Sequence, residues 1–156
     1  MWRVVREGRA VFDGSRASGR WNPSQLSVLY GARQADGAVA EIHFHLSQGQ
    51  SVFPSRIRHV LHELEVATDR TLVLANMSQL VALGVEEARY NEILYARTQE
   101  IADAAAFIGF DGIIAPSARW PCENIVLFLD AFKLEDASIV GETPVNWKSW
   151  RMKHRR

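Results

Sequence analysis
The chain has 156 residues, 47% hydrophobic and 23% charged, enough for one domain with a real core and too few for two comfortable ones. Lys+Arg and Asp+Glu both number 18, so the net charge is zero, which argues against a general nucleic-acid binder that needs a basic field. No apolar run reaches membrane-spanning length, no signal peptide is visible before the first charged residues, and the single Cys122 closes no internal disulfide, so the expectation is a cytoplasmic protein with no membrane contact.

In chain order, Trp2–Arg6 reads as a first strand, with Trp2 and Val4 on one face and Arg3 and Val5 on the other. Arg3 is an edge charge or a cation aimed into a cleft. Residues 7–19 are loop-like, rich in glycine and serine. Gly19-Arg20-Trp21-Asn22-Pro23 cannot lie inside a helix or a central strand, because Pro23 has no N–H and biases Asn22 toward extended geometry. It reads in two ways. It is a rigid loop offering an arginine fork to phosphate or carboxylate, or a structural turn with Trp21 as a core plug and Arg20 stacked on it. Leu26–Tyr30 is a short strand. Ala35–Leu46 is a helix with Asp36 at its N-cap and Ala38, Val39, Ile42 and Leu46 on its apolar face. Glu41, at the edge of that stripe, is either solvated or turned into a pocket.

Val60–Val66 alternates as a strand, and Thr71–Leu74 follows as another. Asn76 or Ser78 caps a short helix through Leu83, with Gly84 as its stop. Asn91–Phe107 reads as the longest helix, burying Ile93, Leu94, Thr98, Ile101, Ala102 and Ala105. Ile113–Ala115 is a short buried strand, and Asn124–Leu129 a second, expected at the sheet centre. Phe132–Val140 adds one more. The basic tail, residues 151–156, is expected to fray beyond a single domain of residues 1–150. Strands and helices mix without regular βαβ alternation, so the fold class is α+β, with a mixed sheet core and flanking helices.

No hydrolase elbow surrounds Ser117, and no phosphate-loop lysine or dinucleotide glycine fingerprint is present. His43 and His45, on a helix, point about 200° apart, a poor start for a metal site, and none is expected. One carboxylate, arginines, an aromatic and a hydroxyl do suit cleavage of the nicotinamide–ribose bond of NAD+. The leaving group is neutral, so no general acid is required, and one carboxylate can stabilise the ribosyl cation. Ser117, between two apolar strands, opens on a pocket or bonds its own turn.

The ordered set Trp2-Arg3, Gly19-Arg20-Trp21-Asn22-Pro23, Val28-Leu29-Tyr30, Glu41 eleven residues on, and Ala115-Pro116-Ser117-Ala118-Arg119 before Asn124-Ile125-Val126-Leu127-Phe128 resembles the RES-domain toxins of bacterial toxin–antitoxin pairs. Ser18 before Gly19 and Glu123 before Asn124 depart from the common pattern. The resemblance implies an ADP-ribosyltransferase-like fold that takes NAD+ as substrate, with no prosthetic group. It implies Arg20, Tyr30, Glu41 and Ser117 as catalytic residues. It implies Arg3, Gly19, Arg20, Trp21, Tyr30 and Asn124 as NAD+ contacts. It implies that ADP-ribose goes to a protein side chain, water or phosphate. It implies a cognate antitoxin of the Xre type that covers the site, and association is in any case expected of a neutral chain. The competing expectation is a non-catalytic module that keeps the fold and binds a partner protein.

Overall fold
A computed structural model describes residues 1–49, 53, 54 and 56–154. Its elements are β1 (Trp2–Arg6), β2 (Val28–Ala32), α1 (Ala35–Ser47), β3 (His59–Val66), β4 (Thr71–Val73), α2 (Met77–Ala82), α3 (Ala96–Phe107), β5 (Gly112–Pro116), β6 (Glu123–Phe128), β7 (Ala137–Pro144) and α4 (Trp147–Lys153). The strands form one sheet in the order β4-β5-β6-β2-β1-β3-β7. Only β4 and β5 run parallel; every other neighbour is antiparallel, so the sheet is mixed and the fold is α+β as the sequence predicts. Among the described residues no helix is long and apolar enough to cross a membrane.

Register explains the core. Val28, Tyr30 and Ala32 of β2 stand opposite Phe128, Val126 and Asn124 of β6, which in turn align with Ile113 and Ala115 of β5. Side chains alternate across a strand, so these residues share one face. That face is covered by Ala102 and Ala105 of α3 and Leu80 of α2 at one end. At the other end Ala38 and Val39 of α1 and Trp147 of α4 pack with Val4 and Ala32. Leu29 and Leu127 point the opposite way, under Phe132.

Several boundaries move for identifiable reasons. The expected strand Leu26–Tyr30 begins two residues later, because Leu26 N–H donates to the Pro23 carbonyl and closes a turn. Pairing of Gly31 and Ala32 with Ile125 and Asn124 carries the strand past Tyr30. β6 is interior but β2 holds the centre. The long helix starts at Ala96, not Asn91, so α1 with 13 residues exceeds α3 with 12. The Asn91 and Glu92 carbonyls accept from Arg119 and Arg20 instead of from a following helical turn, and Ile93 and Leu94 are exposed. Asp36 does not cap α1; Gln34 holds that position without a side-chain bond. Asp36 instead accepts from Trp150 Nε1 at 3.3 Å and faces Lys153 Nζ at 3.6 Å. Asn76 does cap α2, accepting from Gln79 N–H, and Gly84 follows with φ +86°. The strand expected from Phe132 begins at Ala137, because Phe132 is buried in the opposite-face core. The tail does not fray at Arg151: α4 runs to Lys153 and seats Trp147 at 4% exposure. Arg155 and Arg156 lie outside the described residues.

Candidate functional site
β1 and β2 are neighbours in the sheet, yet they share a single registered pair, Trp2↔Ala32. By contrast β1 and β3 pair through five residues, and so do β2 and β6. Where β1 and β2 part, a cleft of about 400 Å³ opens, lined by the 15–21 loop, β2, α1, Tyr95, Arg119 and Asn124. It brings together Arg3, Gly19, Arg20, Trp21, Tyr30, Glu41 and Asn124 from the sequence reading, and Ser117 joins them through Glu41.

Glu41 comes from the middle of α1. Its Oε1 accepts from Ser117 Oγ at 2.7 Å and from Asn124 Nδ2 at 2.8 Å. Charge-assisted bonds of this length fix the rotamer and leave Oε2 as the carboxylate's working edge. Ser117 Oγ also accepts from the N–H groups of Arg119 (3.0 Å) and Trp120 (3.2 Å). The two readings of Ser117 therefore hold together: its hydroxyl closes its own turn and donates its proton to Glu41. Asn124 is 7% exposed, and its Oδ1 has no partner among the described residues.

The 19–23 loop is built around Tyr30. Its hydroxyl donates to Asn22 Oδ1 at 2.7 Å and accepts from Trp21 N–H at 2.9 Å. Burial pushes this phenol well above the usual range, so it remains protonated. A Cβ on Gly19 would fall 2.9 Å from the Tyr30 hydroxyl and 2.8 Å from Asn22 Oδ1, which is why glycine stands there. Trp21 is 0% exposed in the core, so it plugs the wall behind the cleft and offers a ligand no ring face. Arg20 does not stack on Trp21. It lies 4.6 Å from the Tyr90 ring centroid and 4.9 Å from that of Tyr95.

Arg3 lines the cleft and is also tied to the backbone beside it. It donates Nε–H to the Val11 carbonyl, Nη1–H to that of Tyr30 and Nη2–H to that of Asp13, at 2.7–2.9 Å. These bonds stand in for the missing β1–β2 ladder and tie the 11–13 loop to the sheet. Burial lowers its pKa to about 10, against the pull of Asp13, so it stays charged at neutral pH. Three of its five N–H donors go to backbone oxygens, so the geometry gives it a structural task whatever else it holds.

Arg119, Phe44, His45, Tyr90 and Tyr95 were not singled out from the sequence. Phe44 and His45 follow Glu41 by three and four residues on α1, the spacing of one helical face, and that signal was readable. Arg119 lay inside the quoted Ala-Pro-Ser-Ala-Arg run. Tyr90 and Tyr95 reach the cleft only through tertiary packing. Burial lowers the His45 pKa, with Glu41 opposing, so its ring is neutral at pH 7. His43 turns away from it, stacking on Phe53 at 5.1 Å and meeting Trp150 at 5.0 Å.

No curated protein matches the chain. Among solved structures it is similar to MbcT in the crystal structure of the M. tuberculosis MbcT–MbcA toxin–antitoxin complex, with a TM-score of 0.81 and 19% identity over 97% of this chain and 86% of that one. At that identity the likeness is one of fold. A family model, the RES domain, matches residues 1–148, strands and cleft included, and the chain belongs to the RES domain family.

Proposed function
We propose that this protein is the toxin of a toxin–antitoxin pair, and that it breaks the nicotinamide–ribose bond of NAD+ and passes ADP-ribose to an acceptor. The observation that carries this reading is the Glu41 carboxylate, locked by Ser117 and Asn124 at a cleft that also holds Arg20 and Arg119. As the C1′–N bond breaks, its electron pair leaves with nicotinamide, which departs neutral. Positive charge grows on the ribosyl carbon and its ring oxygen. A fixed anion aimed at that charge stabilises it most in the transition state. The acceptor oxygen then bonds C1′ and loses its proton; water, phosphate or a protein side chain meets that requirement.

The fold likeness to a toxin solved with its antitoxin supports a protein partner for this chain. An Xre-type antitoxin seated over the cleft would silence an enzyme that drains NAD+ in its own cytoplasm. The deciding experiment is nicotinamide release from NAD+ by the purified protein free of any partner. Release that disappears in Glu41→Gln is expected; no release from a folded wild type overturns the reading and leaves the binding module.

A further inference from the structure
Among the described residues, two guanidinium groups in the cleft keep N–H donors without a partner. Arg20 is held by its aromatic neighbours, and its one side-chain hydrogen bond among the described residues, Nη2–H to the Glu92 carbonyl, is 3.3 Å long. Arg119 is pressed on Phe44 at 3.4 Å from the ring centroid, and its Nη1–H donates to the Asn91 carbonyl at 2.7 Å. Stacking holds a guanidinium by its face and leaves its N–H edge for an anion. Tyr95 joins the two, with its ring against Arg20 and its phenol beside Arg119. Two cations thus face one carboxylate, Glu41, in a cleft whose third arginine spends three N–H donors on backbone oxygens.

We propose that Arg119 is a specificity-determining residue of this cleft: with Arg20 it forms a two-guanidinium clamp on the diphosphate of a dinucleotide. The inference rests on the NAD+ reading and adds the residue that grips the half of the substrate remote from the broken bond. A diphosphate carries a negative charge on each phosphorus. One arginine would leave the second charge desolvated and unpaired, and two unpaired arginines would repel across the cleft. Burial, then Arg20, lowers the proton affinity of Arg119, and Glu41 raises it, so the three groups sense one another. The turn carrying Arg119 also orients the carboxylate. Arg119 N–H donates to Ser117 Oγ at 3.0 Å, and Ser117 Oγ donates to Glu41. Diphosphate and ribosyl carbon are therefore indexed from the same few atoms.

The test uses ADP-ribose as a probe that carries the diphosphate without the scissile bond. Calorimetric titrations would compare wild type with Arg119→Gln, which keeps a stem over Phe44, and Arg119→Lys. The glutamine variant is expected to bind ADP-ribose roughly tenfold to hundredfold more weakly, the loss of a charged hydrogen-bonded pair. Lysine should recover only part of that. KM for NAD+ should rise by a similar factor with kcat little changed, the mark of binding shared by ground and transition states. On nicotinamide riboside, which has no phosphate, wild type and Arg119→Gln should be equal. ADP-ribose affinity unchanged in Arg119→Gln overturns the clamp. An equal loss on nicotinamide riboside also overturns it, since the residue would then only support its turn. The two proposals fail separately. Arg119-dependent ADP-ribose binding without nicotinamide release sinks cleavage and keeps the clamp, whereas cleavage with an unchanged KM in Arg119→Gln does the reverse.

Discussion

At the level of single residues, chemistry and support are divided among side chains that look alike in the sequence. Glu41 faces the cleft while two donors hold its Oε1. Glu41→Gln keeps the shape and removes the charge; kcat for nicotinamide release is expected to fall about a few hundred-fold, with ADP-ribose affinity nearly unchanged. Ser117→Ala removes one donor to that carboxylate and leaves Asn124 in place. A smaller drop in kcat, about tenfold, is expected, with a stability loss of about 1 kcal/mol for the two N–H groups it leaves without an acceptor. Steady-state kinetics and urea unfolding on the same samples separate the two effects. Motif order was enough to place Arg20, Tyr30, Glu41, Ser117 and Asn124 around one cleft. It did not separate an arginine stacked on aromatic rings from one bonded to the backbone. Arg3 and Arg20 are both arginines beside aromatics in sequence, and only the parting of β1 from β2 makes Arg3 a substitute for ladder hydrogen bonds.

Among the elements, the 19–23 loop and the β4–β5 junction show how loops are made rigid. Tyr30→Phe deletes the hydroxyl that joins Trp21 N–H to Asn22 Oδ1, inside a wall that is otherwise closed. The expected cost is about 1–3 kcal/mol, the penalty for buried polar groups left unpaired, together with a raised KM as Arg20 loses its mount. A variant with wild-type stability would mean that the loop is held elsewhere. At the sheet edge Asp111, 6% exposed, accepts from the N–H groups of Asp69 and Arg70 and from the Thr71 hydroxyl. Burial alone would raise its pKa; those donors outweigh it and the net shift is downward. Asp111→Asn exchanges an acceptor oxygen for a donor facing donors, and thermal melts should show a loss of about 2–3 kcal/mol. Nothing local in the sequence points to this role for Asp111, because bonds spanning some 40 residues leave no local trace. Strand-forming runs were readable from apolar content. Their neighbours were not, since β2 takes β6 as a partner from the far end of the chain.

For the whole molecule, pH and partner binding are global readouts. Burial lowers the pKa of His43, His45 and His59, so the folded chain prefers them neutral while the unfolded chain takes up protons from about pH 6.5 downward. Below that point the unfolded state binds more protons, so this contribution is intact above pH 6.5 and is lost as the pH falls through the lower folded values. Asp111 has a depressed pKa, so its share persists until the pH falls below the ordinary carboxylate range. The melting temperature should decline from pH 7 to 5.5 and fall again in acid; a flat profile between 7 and 5.5 would contradict the assignment. Antitoxin and NAD+ should compete for the cleft, each lowering the apparent affinity of the other by the same factor. Equal affinity of NAD+ for the free protein and for the complex would remove the covering model. The single Trp2↔Ala32 pair has a consequence of its own. It makes the sheet two leaves with one stitch, β4-β5-β6-β2 on one side and β1-β3-β7 on the other. Ladder hydrogen bonds across the seam are few, and the two sides are held instead by the Arg3 bonds and by the core that α1 and α4 share with Val4 and Ala32. Backbone deuterium uptake should therefore be fastest along the β1–β2 seam in the free protein. ADP-ribose filling the cleft that opens on this seam should slow uptake there, and unchanged uptake would contradict the cleft as its site.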